Sequence, residues 1–160
     1  VTVTHQRVDL RAELQEIALR WQQAQEKPNI RIEVETTSER RNWEVSTDPV
    51  RLEQIMVNLF NNARDAMQGG GTIIVRLYAE PVQYRIEVQD TGEGIPEEEQ
   101  AKVFEAFYRG AKKRAHVHGL GIGLSFSKLI SRSLGGDLVL AGSSPAGTTF
   151  ALTIPAIRSH

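Results

Sequence analysis

Asp48-Pro-Val-Arg-Leu-Glu-Gln-Ile-Met-Val-Asn58-Leu-Phe-Asn-Asn62-Ala-Arg-Asp65-Ala-Met67 runs into Gly69-Gly70-Gly71, then into Ile73-Ile-Val75-Arg-Leu77 and Tyr84-Arg-Ile86-Glu-Val88. The order of these pieces decides the fold. Asp48 is a helix-capping type, and Pro49 suits the first helical position, where its missing N–H costs nothing. Leu52, Ile55, Met56, Leu59, Ala63 and Met67 recur at the helical period until three glycines end the run. The two alternating apolar runs flank Glu80-Pro81-Val82 and read as an antiparallel hairpin. A helix with one apolar stripe, followed directly by a hairpin, predicts a helix layer laid on a sheet.

Working outward, the same pattern repeats on the N-terminal side. Asp9 reads as an N-cap for a helix carrying Leu10, Leu14, Ile17, Ala18 and Trp21, closed by Pro28. Ile30, Ile32 and Val34 then alternate with charged residues, which predicts a half-buried strand. On the C-terminal side Asp90-Thr91-Gly92-Glu93-Gly94-Ile95-Pro96 is a tight glycine loop, and residues 97–107 read as a short helix. Residues 108–118 are polar, basic and unpatterned, and read as a mobile loop. Gly119-Leu120-Gly121-Ile122-Gly123 opens a helix carrying Leu124, Phe126, Ile130 and Leu134, closed by Gly135-Gly136. Two further strands are expected near residues 138–140 and 149–154. With no repeat and no long linker, residues 1–160 are expected to form one domain with its core over about 8–155. The expected architecture is a two-layer α/β sandwich, with helices on one face of a mainly antiparallel sheet.

Composition narrows the function classes. The chain has 160 residues, 40% hydrophobic and 24% charged, which suffices for one core. A net charge of -1 provides no general basic field for nucleic acid or an anionic membrane, so neither is expected as a direct partner. The absence of cysteine removes thiolate chemistry and disulfides and fits a reducing compartment. No apolar run approaches a membrane span, and no signal-peptide pattern opens the chain. It begins with Val1 and is expected to be a piece of a longer protein, located in the cytoplasm, with any membrane anchor elsewhere in that protein.

Three constellations carry chemistry. On the second helix, Asn58, Asn62 and Asp65 fall within an arc of about 60° beside the apolar stripe. A carboxamide oxygen there suits a magnesium ion that also holds phosphate oxygens; it equally suits capping a neighbouring backbone group. Asp90 at a strand end, next to Gly92 and Gly94, can accept from an exocyclic amine or form a plain Asx-turn. Gly119, Gly121 and Gly123 at a helix start leave backbone amides bare for phosphate, or provide a hinge. Their spacing is neither a Rossmann fingerprint nor a Walker A loop.

In this order the pieces resemble the ATP-binding catalytic domain of sensor histidine kinases, in the superfamily that includes gyrase, Hsp90 and MutL. Asn58-Leu-Phe-Asn-Asn62-Ala is similar to the N box and Asp90-Thr-Gly-Glu-Gly-Ile to the first glycine box. Phe104-Glu-Ala-Phe107-Tyr-Arg-Gly resembles the F box, Gly119–Gly123 the second glycine box and Gly147-Thr148-Thr-Phe the last. The resemblance implies a mixed five-stranded sheet backed by three helices, with ATP and magnesium as cofactors. It implies that Asn62 ligates magnesium, with Asn58 assisting at phosphate or metal water. Asp90 would read the adenine amine, supported by Gly92, Gly94, Ile95 and Thr148. Gly119, Leu120, Gly121, Gly123 and Leu124 would cover the nucleotide, Asp65 would lie beside it, and Arg109 would reach the terminal phosphate. The implied partners are a dimerisation hairpin bearing the acceptor histidine and a downstream response regulator.

Two positions separate the readings. Hydrolytic relatives carry a Glu one turn before the metal-binding Asn; here that position is Asn58, and Glu53 projects about 140° away. Transfer to a protein histidine is therefore expected over hydrolysis. Many relatives also carry Lys and Tyr where this chain has Asp65 and Ala66, and Arg64, about 160° around from Asn62, does not replace the lysine. The basic residues Lys112, Lys113 and Arg114 are candidates for that charge. That gap leaves a regulatory docking module without phosphotransfer, or a serine kinase of the anti-sigma-factor kind, as alternatives. His5, His116, His118 and His160 lie outside any acceptor pattern, so the chain alone is not expected to autophosphorylate.

Overall fold

The computed structural model describes residues 1–37, 42–106 and 123–156. The elements in chain order are β1 (Gln6–Asp9), α1 (Leu10–Gln23), β2 (Ile30–Thr36), β3 (Glu44–Thr47), α2 (Pro49–Ala66), β4 (Gly71–Ala79), β5 (Gln83–Asp90), a 3₁₀ turn (Glu97–Lys102), α3 (Gly123–Ser133), β6 (Asp137–Ser144) and β7 (Gly147–Pro155). The main sheet has the order β2-β4-β5-β7-β6. Only β2 and β4 run parallel, because β3 and α2 cross over between them; the other pairs are antiparallel.

The apolar stripes meet as the periodicity requires. Leu14, Ile17 and Trp21 of α1 and Leu52, Ile55, Met56 and Leu59 of α2 are buried, as are Ile73, Val75, Leu77, Ile86, Val88, Phe150 and Leu152 of the sheet. Each such side chain contributes roughly 1.5–3 kcal/mol over its exposed state. Trp21 packs on Phe60 with ring centroids 5.5 Å apart, which seats α1 along one flank of α2. The other flank of α2 belongs to α3.

Both helix caps foreseen in the sequence are present. Asp9 accepts from Ala12 N at 3.0 Å. Asp48 Oδ1 accepts from Val50 N and Arg51 N, while its Oδ2 accepts from Thr4 N at 2.8 Å. Burial opposes ionisation of Asp48, but the N–H groups of Thr4, Arg51 and Val50 outweigh it and hold the carboxyl below its usual range.

Some expectations need correction. β1 and β3 pair with each other in a separate two-stranded sheet that the pattern does not announce. The first helix ends at Gln23, before Pro28: Ala24 N still bonds Arg20 O, but Gln25 N reaches only three residues back, to Gln22 O. Met67 caps α2 from outside. Residues 97–102 form a 3₁₀ helix in place of the longer helix expected to residue 107. Phe126, placed on the apolar face of α3, is 40% exposed. No helix among the described residues is long and apolar enough to cross a membrane.

Candidate functional site

Asp90 closes β5 and is 2% exposed. Its Oδ1 accepts from Gly92 N at 2.9 Å and from Thr148 N at 3.2 Å. The second bond joins residues 58 apart in sequence, because β5 pairs with β7 and Gln89 stands opposite Thr149. Thr148 is also buried, and its hydroxyl lies 2.9 Å from that of Ser143. Ser143 Oγ accepts in turn from Ile95 N at 2.8 Å. Carboxylate, hydroxyls and loop backbone thus form one hydrogen-bonded wall.

Close backbone approach explains the glycines of this wall. Gly94 has φ +81, and a Cβ there would stand 2.0 Å from Ser144 O. A Cβ on Gly92 would stand 2.5 Å from Ala66 O, and Glu93 N donates to that same carbonyl at 3.3 Å. The loop after β5 is therefore pressed between the end of α2 and the β6–β7 turn.

From Ala66 the site continues back along α2. Asn62 lies one turn away and Asn58 two, about 12 Å along the axis from Ala66 to Asn58. Asn62 is partly exposed and makes no side-chain hydrogen bond among the described residues. Asn58 Nδ2 donates to Gly123 O at 3.2 Å and to Ser127 Oγ at 2.9 Å, so the start of α3 is docked beside the two asparagines. Leu124 and Ile95 pack partly buried against the core. Asp90, Gly92, Gly94, Ile95 and Thr148 thus stand together, and Asn58 and Asn62 continue the line along α2 toward Gly123 and Leu124.

Asp65 falls elsewhere. Its Oδ1 lies 3.4 Å from Arg64 Nε, and with Arg64, Gln68 and the α1–β2 connection it lines a cavity of about 680 Å³. Arg64 itself turns toward the α1–β2 connection, where Nη1 donates to Gln25 Oε1 at 2.9 Å. Glu53 is engaged by Arg20 of α1. Arg109, Gly119, Leu120 and Gly121, together with Lys112, Lys113, Arg114, His116, His118 and His160, lie outside the described residues. Sequence reasoning missed Ser143 and Ser127. Ser143 sits in Ser143-Ser144-Pro145, which reads only as turn composition, and Ser127 is a polar residue on the face otherwise marked by Leu124, Ile130 and Leu134.

Among the described residues no group of three His, Cys, Asp or Glu side chains could hold a metal ion. A magnesium ion that keeps waters and phosphate oxygens needs only one or two protein oxygens. The donor set on α2 fits that need. Both N–H bonds of Asn58 are spent on α3, which leaves its Oδ1 as a hard neutral ligand, and Asn62 lies one turn on.

The sequence model of one family, described as histidine kinase-, DNA gyrase B-, and HSP90-like ATPase, matches residues 47–158. The aerobic respiration control sensor protein ArcB of Escherichia coli (strain K12) is 40% identical over 118 residues, covering 71% of this chain and 15% of ArcB. This chain therefore spans a small fraction of the curated relatives it matches. Among solved structures, the mycobacterial sensor histidine kinase MprB is similar at 29% identity and TM-score 0.79, covering 96% of this chain and 100% of that one. The histidine kinase ThkA is similar as an isolated catalytic domain at 27% identity and TM-score 0.79, covering 96% of this chain and 98% of that one. ThkA in complex with the response regulator TrrA gives 25% identity and TM-score 0.77, covering 97% of this chain and 42% of that one.

Proposed function

This chain belongs to the family of histidine kinase-, DNA gyrase B-, and HSP90-like ATPases, and from that premise we propose that it is the ATP-binding catalytic domain of a two-component sensor histidine kinase. Asp90, its plane set by Gly92 N and Thr148 N, accepts from the adenine amine. Ile95 and Leu124 lie against the base. Asn62 and the Oδ1 of Asn58 would hold magnesium, which when bound would neutralise charge on the triphosphate. The phosphate role is assigned to Gly119, Gly121 and Gly123, and the terminal phosphate to Arg109, by the motif order of the family. The bond from the bridging oxygen to the γ-phosphorus breaks, a bond to an imidazole nitrogen of the acceptor forms, and ADP leaves. Positioning and charge neutralisation carry this step.

The observation that carries the reading is the residue one turn before Asn62. A hydrolase needs a base there to activate water. Here Asn58 offers none, and Glu53 is tied to Arg20. The acceptor then belongs to a separate helical hairpin. Val50 on α2 and Phe126 and Leu129 on α3 are exposed apolar residues that support such a docking face. A response regulator, like the one bound to ThkA, stands downstream.

A second reading, a nucleotide-binding docking module without phosphotransfer, is favoured by Asp65 and Ala66 in place of the usual Lys and Tyr. One experiment separates the two. The chain is incubated with magnesium, γ-labelled ATP and a supplied hairpin from a sensor kinase. Acid-labile label on the hairpin, lost when its histidine is replaced, is the expected result. Nucleotide binding without any transfer would leave the docking module standing.

A further inference from the structure

The Asn58 carboxamide is set by α3. An amide has two N–H donors and one carbonyl oxygen. Nδ2 spends its donors on Gly123 O and Ser127 Oγ, two acceptors one turn apart on one face of α3. A backbone carbonyl can only accept, so the amide nitrogen makes both bonds to α3, and the oxygen makes none among the described residues. Ser127 is 0% exposed and makes the shorter of the two bonds, 2.9 Å against 3.2 Å.

We propose that Ser127 is a positioning residue for magnesium–nucleotide binding, holding Asn58 so that its oxygen, never its NH₂, is presented to the metal and phosphates. This rests on the reading of Asn58 and Asn62 as metal-side residues. The bond to Gly123 O is longer and survives any side-chain change. The bond to Ser127 is the one a substitution removes. Without it only the longer bond to Gly123 O opposes rotation of the carboxamide, so the orientation that aims its oxygen at a cation is held less firmly. The same bond joins α2 to the helix that the second glycine segment enters, so the metal side of the site depends on where α3 sits.

The test is titration calorimetry of ATP with and without magnesium on six proteins: the unaltered chain, Ser127→Ala, Ser127→Cys, Asn58→Ala, Asn62→Ala and the Ser127→Ala/Asn58→Ala double variant. Ser127→Ala should weaken magnesium–ATP binding about fivefold to tenfold, the range one hydrogen bond spans. Magnesium-free ATP affinity should change by less than about twofold, and the Ser127 effect should vanish in the Asn58→Ala background. Ser127→Cys, of similar size and a weaker acceptor, should fall between. The Asn58 side-chain NH₂ resonances should move in Ser127→Ala with no nucleotide present. Equal losses with and without magnesium, or the same loss when Asn58 is already absent, would reduce Ser127 to packing and overturn the proposal. If Asn58→Ala and Asn62→Ala both leave the magnesium dependence unchanged, the metal reading itself fails, and the role of Ser127 with it.

Discussion

At the Asp90 end of the site, two backbone N–H groups converge on one carboxylate oxygen and a glycine loop fills the space between α2 and the β6–β7 turn. At the Asn58 end, one carboxamide reaches across to a neighbouring helix, and a second asparagine has no side-chain bond among the described residues. The first region is made largely of loop backbone closed on one carboxylate and two hydroxyls, and tolerates little change of shape. The second is made of side chains and depends on a few bonds of about 1 kcal/mol each. Recognition of a flat, rigid base calls for the first kind of wall; a hydrated ion with shifting oxygens is served by the second.

This contrast can be broken experimentally. Gly94→Ala should have the largest effect: at φ +81, with Ser144 O 2.0 Å from the new Cβ, the loop must move. We expect a loss of roughly 2–3 kcal/mol of stability in urea unfolding and a drop in ATP affinity of at least about 100-fold. A near-normal Gly94→Ala protein would mean the wall is pliable and the contrast wrong. Asp90→Asn comes next. Its Oδ1 can still accept from Gly92 N and Thr148 N, so stability should fall by less than about 1 kcal/mol. ATP affinity should nevertheless drop about 30-fold or more, because a donor replaces an acceptor. Equal losses of stability and affinity would make Asp90 a structural group only.

The smallest effect is expected at Gly123. Nothing stands closer than Asn58, 3.8 Å from a Cβ built there, and Gly123 opens a helix that favours alanine. Gly123→Ala should leave stability within about 0.5 kcal/mol. Its ATP affinity then sharpens the comparison. A loss confined to the triphosphate, absent for adenosine, would show that phosphate needs the bare backbone there.

What the sequence makes legible follows from the range of the forces involved. The caps Asp9 and Asp48, the stripe of α2 and the alternation of β4 and β5 depend on neighbours a few residues away, and each appears where its pattern puts it. β1 and β3 do not, because each is four residues long, β1 is largely exposed, and their only strand partner is one another. Glu97-Glu98-Glu99 after Pro96 has the composition of a helix start, but with no buried side chain among residues 97–102 nothing draws the turn into a longer helix. In the site, Asp90, Asn58, Asn62 and the glycines are visible through motif order. Ser143 and Ser127 act through partners on other elements, and no local pattern marks a buried serine as a hydrogen-bond hub. For Asp65 helical angle fixes the position beside Asn62 but not the side chain's neighbours: its carboxylate lies at Arg64, by the cavity at the α1–β2 connection.

The bond from Thr148 N to Asp90 has a consequence for synthesis. A ribosome must deliver β7 before the carboxylate of β5 acquires its second N–H, so a chain halted before Thr148 lacks one of the two donors that set Asp90. Ligand adds RT ln(1 + [L]/Kd) of stability to whatever binds it. That bonus is withheld from every truncated product and granted only to a finished chain. On the proposed function, ATP would favour whole domains over fragments when proteases choose between them.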